Sequence, residues 1–279
     1  MKKLLLLLFL TLINVSFGTP TIYTTVKPIA DIVSYITGDK TGYLIPPNAS
    51  PHIYEFKTSD IRKAYKSDLF IYIGSGEPKL TGILESIPEN RKIKIIDIKG
   101  LKLLGEEEHE EKHIHPAVWL DPDNAVVIAR FIEKKIEKID PSKKDYYRKN
   151  LEKFVKEIRD IKEYGLGKFS HLKNKKFISY HYAWPYFVRA FGLEYAGVIE
   201  MGHGREPTPK HLIKIISTIK KYRIPSIFVS VQFYNPRYIK LIKREVSINI
   251  VYLDPFGIKN DYIQMMKENI DKIFNGLNQ

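Results

Sequence analysis

The chain has 279 residues, 44% hydrophobic and 28% charged, with no Cys and a net charge of +13. The apolar fraction excludes disorder as the main state, and the length accommodates one large domain or two of about 130 residues. The missing Cys excludes disulfides, thiolate metal sites, a cysteine nucleophile and a lipid anchor on an N-terminal cysteine. The positive charge does not imply a nucleic acid partner, because the lysines interleave with glutamates, as in residues 133–138, like a solvated helix face.

Residues 1–18 read as a signal peptide. Lys2 and Lys3 form a basic start, Leu4 to Ile13 form an apolar run broken by Thr11, and Ser16 and Gly18 are small residues before a cleavage point. The run is about half the ~20 residues that a membrane-spanning helix needs. The expected product starts at Thr19 and is exported and soluble.

Beyond it, short apolar runs alternate with segments of helical period. Strands are expected at Thr21–Val26, Gly42–Ile45, Asp68–Gly74, Lys92–Ile98, Lys175–His181, Tyr195–Glu200, Ser226–Gln232 and Asn249–Asp254. Runs such as Leu69-Phe70-Ile71-Tyr72-Ile73 suit parallel strands buried on both faces. Helices are expected at Pro28–Ile36, at Ser59–Ser67 with Thr58 or Ser59 as cap, and at Pro209–Tyr222 behind Thr208. From Ser142 to about Tyr164 one helix runs with no strand, its apolar face set by Tyr147, Leu151, Phe154, Val155, Ile158 and Ile161, and Gly165 and Gly167 should end it. Four strands precede this helix and four follow. The expected fold is α/β, with two lobes, each a four-stranded mostly parallel sheet with flanking helices, joined by one long rigid helix. The lobes fall at residues 19–140 and 168–279, with the connecting helix at 141–167.

The candidate ligands cluster at strand ends. His52 lies in the loop after the second strand, His113 and His115 come after the fourth, His181 closes the fifth and Asp254 the eighth. Open α/β sheets bind ligands at the C-terminal edge of their strands, so two facing lobes would bring these groups to one cleft. Imidazoles with a carboxylate suit a zinc-like ion. His171 and His211 read as solvated surface residues without a role.

These residues also carry a family resemblance. Pro46–Phe56, Val118-Trp119-Leu120-Asp121-Pro122, Ser179–Leu193 around His181, Glu206-Pro207-Thr208-Pro209 and Leu253-Asp254-Pro255 occur in order. With them the chain resembles the zinc/manganese-type solute-binding proteins of bacterial ABC importers over nearly its whole mature length. The resemblance implies two α/β lobes, a connecting helix and one buried metal ion, as the periplasmic donor of zinc or manganese to a membrane permease. A monomer in the periplasm without a lipid anchor is expected. By position, His52 matches the first family ligand, His181 the third and Asp254 the fourth. The third is often Glu in manganese-type members, so His181 leans towards zinc, with manganese the alternative.

The family's second ligand, two residues before the motif Trp, falls here on Ala117. His115 lies two residues upstream and His113 two beyond that; His203 is a further candidate. Side chains 113, 115 and 117 share a side in an extended segment, but His115 starts about 6–7 Å further back. Either the loop bends at Pro116 to bring His115 in, or His203 enters from the other lobe; His115 is preferred. Ser230 stands where many members have Glu. The loop from Glu106 to His115, acidic and carrying three His, reads as a solvated loop that also collects metal weakly.

Two other functions fit parts of this pattern. A zinc hydrolase would use the same cluster with Glu206 as general base, although no His-Glu-x-x-His helix is present. A binding protein for an organic or chelated-metal ligand would line its pocket with Tyr182, Trp184 and Tyr186. Capture and delivery of an ion without chemistry is the leading reading.

Overall fold

The structure is a computed structural model and describes residues 19–105, 113–201 and 205–279. The expected signal peptide, most of the acidic loop and His203 lie outside the described residues. All eight strands form. The first sheet holds β1 (Ile22–Val26), β2 (Gly42–Ile45), β3 (Leu69–Tyr72) and β4 (Lys92–Lys94), the second β5 (Lys176–Ser179), β6 (Glu194–Val198), β7 (Ser226–Ser230) and β8 (Asn249–Leu253). Their orders are β2-β1-β3-β4 and β6-β5-β7-β8, one topology used twice. Every pair is parallel, with Tyr23 opposite Gly42 and Ser226 opposite Asn249. The order in which successive strands are added reverses between β1 and β3 in the first sheet and between β5 and β7 in the second. Those switch points leave crevices at the strand C-termini.

The helices are α1 (Lys27–Thr37), α2 (Thr58–Lys66), α3 (Thr81–Glu85), α4 (Pro122–Ile139), α5 (Lys144–Ser170), α6 (Pro185–Ala190), α7 (Pro209–Tyr222), α8 (Pro236–Glu245) and α9 (Tyr262–Leu277). Thr208 caps α7 as expected, its hydroxyl oxygen accepting the His211 N–H at 3.2 Å. The cap of α2 is Lys57 rather than Thr58 or Ser59, because Asp60 turns back to accept the Lys57 N–H at 3.1 Å. Several strands end early; β4 stops at Lys94, where Ile95–Asp97 turn into a 3₁₀ helix.

The connecting helix α5 has 27 residues, about 40 Å at ~1.5 Å per residue. Gly165 and Gly167, expected to end it, lie inside it. At Gly165 a Cβ would sit 2.4 Å from the Phe191 ring, so this glycine admits a close neighbour instead of stopping the helix. The expected face, from Tyr147 to Ile161, is buried. One apolar cluster runs from Val26 and Trp119 through Phe154 to Phe187, Phe256 and Ile270, so the two sheets share a core along α5. Phe154 meets Tyr35 edge-on at 5.2 Å and lies 6.1 Å from Tyr262. Among the described residues, no helix is long and apolar enough to cross a membrane.

Because Phe154 contacts rings from both ends of the chain, Phe154→Ala should cost about 3–5 kcal/mol, read from urea unfolding. A cost below about 1 kcal/mol would show that the lobes do not depend on a common core.

Candidate metal centre

The motif Val118-Trp119-Leu120-Asp121-Pro122 fastens the lobes. Val118–Leu120 form a 3₁₀ turn, and Asp121 caps α4 by accepting the Asp123 N–H at 2.8 Å. The buried Asp121 carboxylate also accepts from Arg189 at 2.8 Å, while the Trp119 indole N–H donates to the Pro255 carbonyl at 2.8 Å. Tyr262 closes the set by donating to the Trp119 carbonyl at 2.5 Å. Nearby, Gln232 donates to the Pro47 carbonyl at 2.7 Å, fixing the His52 loop against the second lobe.

Between these fastenings lies a cavity of about 30 Å³, where His52, His115 and His181 meet Glu77, Trp119 and Phe233. That is more than the roughly 10–15 Å³ that one water-sized body needs. The rings of His52 and His181 are 5.9 Å apart. Phe233 stacks on His181 at 4.0 Å and lies 6.0 Å from His52. His181 is hydrogen-bonded through Nδ1 to the carboxylate of Glu200.

The segment before Trp119 bends at Pro116, where the Val118 N–H donates to the Pro116 carbonyl at 2.8 Å. His115, Pro116 and Ala117 all line the cavity as a result. His115 is buried, and its Nε2 donates across the lobes to the Tyr182 carbonyl at 2.7 Å. Its Nδ1 accepts the Ala117 N–H at 3.3 Å, so the proton is assigned to Nε2 by its partners. Burial pushes this imidazole down to about 3, against the pull of the Tyr182 carbonyl and with the charges of His181 and His52 adding to the effect.

The other candidates are spread more widely. Asp254 follows β8 directly and is not in the cavity wall; its carboxylate accepts the N–H groups of Phe256, Gly257 and Ile258 at 3.0, 3.0 and 2.5 Å. His113 is exposed and lines an adjoining cavity of about 710 Å³ together with His52 and Lys94. Among the described residues, no three His, Asp or Glu side chains stand close enough to hold an ion as placed. His211 is not simply solvated, since it is half-buried and its Nε2 lies 2.7 Å from the Val198 carbonyl. Glu206, the base of the hydrolase reading, is exposed and bonded to Tyr238, away from the cavity. Trp184 donates to Ser230 at 3.1 Å and Tyr186 accepts the Leu104 N–H at 3.0 Å, so both rings are core rather than pocket.

The sequence reading missed Glu200, Phe233 and Glu77. Glu77 is half-buried at the cavity wall, its carboxylate accepting the N–H groups of Ile73 and Gly74 at 3.0 and 3.1 Å. Desolvation nevertheless raises it to about 7. The available signal for Glu200 was its place at the end of the expected strand Tyr195–Glu200.

Two parallel-sheet lobes on one rod, with imidazoles at the facing strand ends, define a two-lobed substrate-binding protein. The family described as zinc-uptake complex component A periplasmic matches residues 22–276, and the chain belongs to it. This is a family of substrate-binding proteins of metal ABC importers, not of enzymes. The crystal structure of ZnuA superposes with a TM-score of 0.83 at 25% identity, covering 93% of this chain and 99% of that one. The chain is 28% identical to the manganese ABC transporter substrate-binding lipoprotein PsaA of Streptococcus pneumoniae, covering 89% of this chain and 86% of the relative. A metal ABC transporter substrate-binding lipoprotein of Lactococcus lactis is 27% identical over 89% of this chain and 85% of its own length.

These relatives correct the expected location. They are lipoproteins by name, which overturns a periplasmic protein without a lipid anchor. That expectation rested on the absence of Cys, and a missing residue type does not locate a protein.

The neutral state of His115 has a consequence for stability. Its folded value lies below the ordinary ~6.5, so between about pH 6.5 and 3 the unfolded chain binds a proton that the folded one refuses. Its contribution is present in full above about pH 6.5 and falls by at most about 1.4 kcal/mol per pH unit below it. His115→Gln should flatten the acid limb of a urea-stability curve over that window; an unchanged limb would show that His115 is not held neutral.

Proposed function

We propose that this chain captures one divalent metal ion, zinc in preference to manganese, between its lobes and delivers it as a monomer to the membrane permease of an ABC importer. The observation that carries the reading is the convergence of His52, His115 and His181 on one small cavity at the facing strand ends. Imidazole favours zinc over manganese, and a wall bearing Trp119 and Phe233 disfavours the water-rich octahedral shell that manganese accepts.

His181 would bind through Nε2, since Nδ1 holds Glu200, and His115 through Nδ1, since Nε2 holds Tyr182. Asp254 would complete the set: a carboxylate offers about four acceptor positions, and three backbone N–H groups occupy Asp254. His203 remains the alternative to His115. The lobes at 19–140 and 168–279 would tilt only slightly about the helix expected at 141–167, because bending a packed helix breaks its hydrogen bonds.

Zinc titration against a competing chelator tests the assignment. His52→Ala, His181→Ala and His115→Ala should each weaken binding at least about tenfold, which is ~1.4 kcal/mol. Ala117→His should restore binding in the His115→Ala background. Affinity in the wild type should fall from about pH 7 to 5 as protons compete for imidazole nitrogen. Equal affinity in wild type and His115→Ala would remove His115 from the site, and affinity unchanged to about pH 4.5 would remove imidazole altogether.

A further inference from the structure

His181 follows β5 and Glu200 follows β6, two neighbouring parallel strands. The pairing continues past both strand ends, with Ile199 N–H donating to Ser179 at 3.0 Å and Glu200 N–H to Tyr180 at 2.9 Å. This continuation sets the two side chains side by side, and both are well buried, at 11% and 13% exposure. Glu200 bonds the imidazole through Nδ1, while Phe233 covers its face. The ring is therefore held at its edge and across its plane.

An ionised carboxylate only accepts hydrogen bonds, so its partner nitrogen must carry the proton. A neutral imidazole with its proton on Nδ1 has its lone pair on Nε2. Metal-binding histidines generally donate their second N–H to a carboxylate or carbonyl, which fixes the tautomer and raises ligand basicity. We propose that Glu200 is a positioning residue for metal capture, one that locks His181 in the Nδ1–H tautomer and so presents Nε2 to the ion. This rests on the reading of His181 as a ligand. Glu200 itself does not bind the ion. The cleft then carries complementary tautomers, since His115 holds its proton on Nε2 for Tyr182, and its Nδ1 lone pair takes the Ala117 N–H at 3.3 Å, a contact that an ion would displace.

The test combines histidine-ring ¹⁵N NMR of the zinc-free protein at neutral pH with zinc titration of wild type, Glu200→Gln and Glu200→Ala. Wild type should show His181 protonated on Nδ1, and Gln, which still offers an acceptor oxygen, should keep that tautomer and near wild-type affinity. Ala should release the tautomer and weaken zinc by roughly 10–100-fold. The wild-type spectrum needs no variant, so a proton found on Nε2 of His181 overturns the inference even if Ala fails to fold. Equal losses for Gln and Ala would also overturn it, by making the carboxylate charge or direct coordination the cause. If wild type binds no zinc, the functional reading fails, while the tautomer comparison still decides what Glu200 does to His181.

Discussion

The cleft depends on one constraint, the burial of α5 in a core common to both sheets. A 27-residue helix with Phe154 against Tyr35 on one side and Tyr262 on the other does not act as a flexible strap. It fixes the separation of two sheets whose crevices would otherwise have no reason to face each other. The Trp119–Pro255 and Tyr262–Trp119 bonds then set the spacing at the cleft floor. Residues far apart in sequence thus line one small cavity between the sheets.

Within that frame the cavity is prepared by hydrogen bonds rather than by charge. His115 is kept neutral by burial and tied to Tyr182, so the lobes are latched by a group that does not repel an incoming cation. Phe233 and Trp119 make the surroundings apolar, which strengthens any electrostatic interaction formed there. Asp254 has a different part in the structure as it stands. It holds the turn into Phe256, and the backbone N–H groups on its carboxylate compete with any ion it would bind.

Much of this was legible in the sequence for identifiable reasons. Strands buried on both faces read as apolar runs, so Leu69–Tyr72 and Ser226–Ser230 stood out, and α5 showed its period over several turns. Gly165 misled because a glycine in a helix signals a stop only when nothing packs against it, and Phe191 does. The bend at Pro116 was one of two geometric options for His115, and local spacing alone did not choose between them. Glu200 showed only as the end of an expected strand, because its partnership with His181 depends on β5 pairing with β6, a contact made 19 residues apart. Phe233 looked like an ordinary apolar residue after β7. The missing lipid anchor failed differently: it was inferred from an absent residue type and corrected by relatives named as lipoproteins.

The proposed capture of one ion by imidazoles from both lobes fixes what a bound zinc would have around it. Zinc K-edge X-ray absorption of the protein loaded with one equivalent reads it directly. Four-coordinate zinc is expected, with scattering from two to three imidazole rings bonded at ~2.0–2.1 Å. A six-coordinate shell of oxygen atoms without imidazole scattering would contradict it.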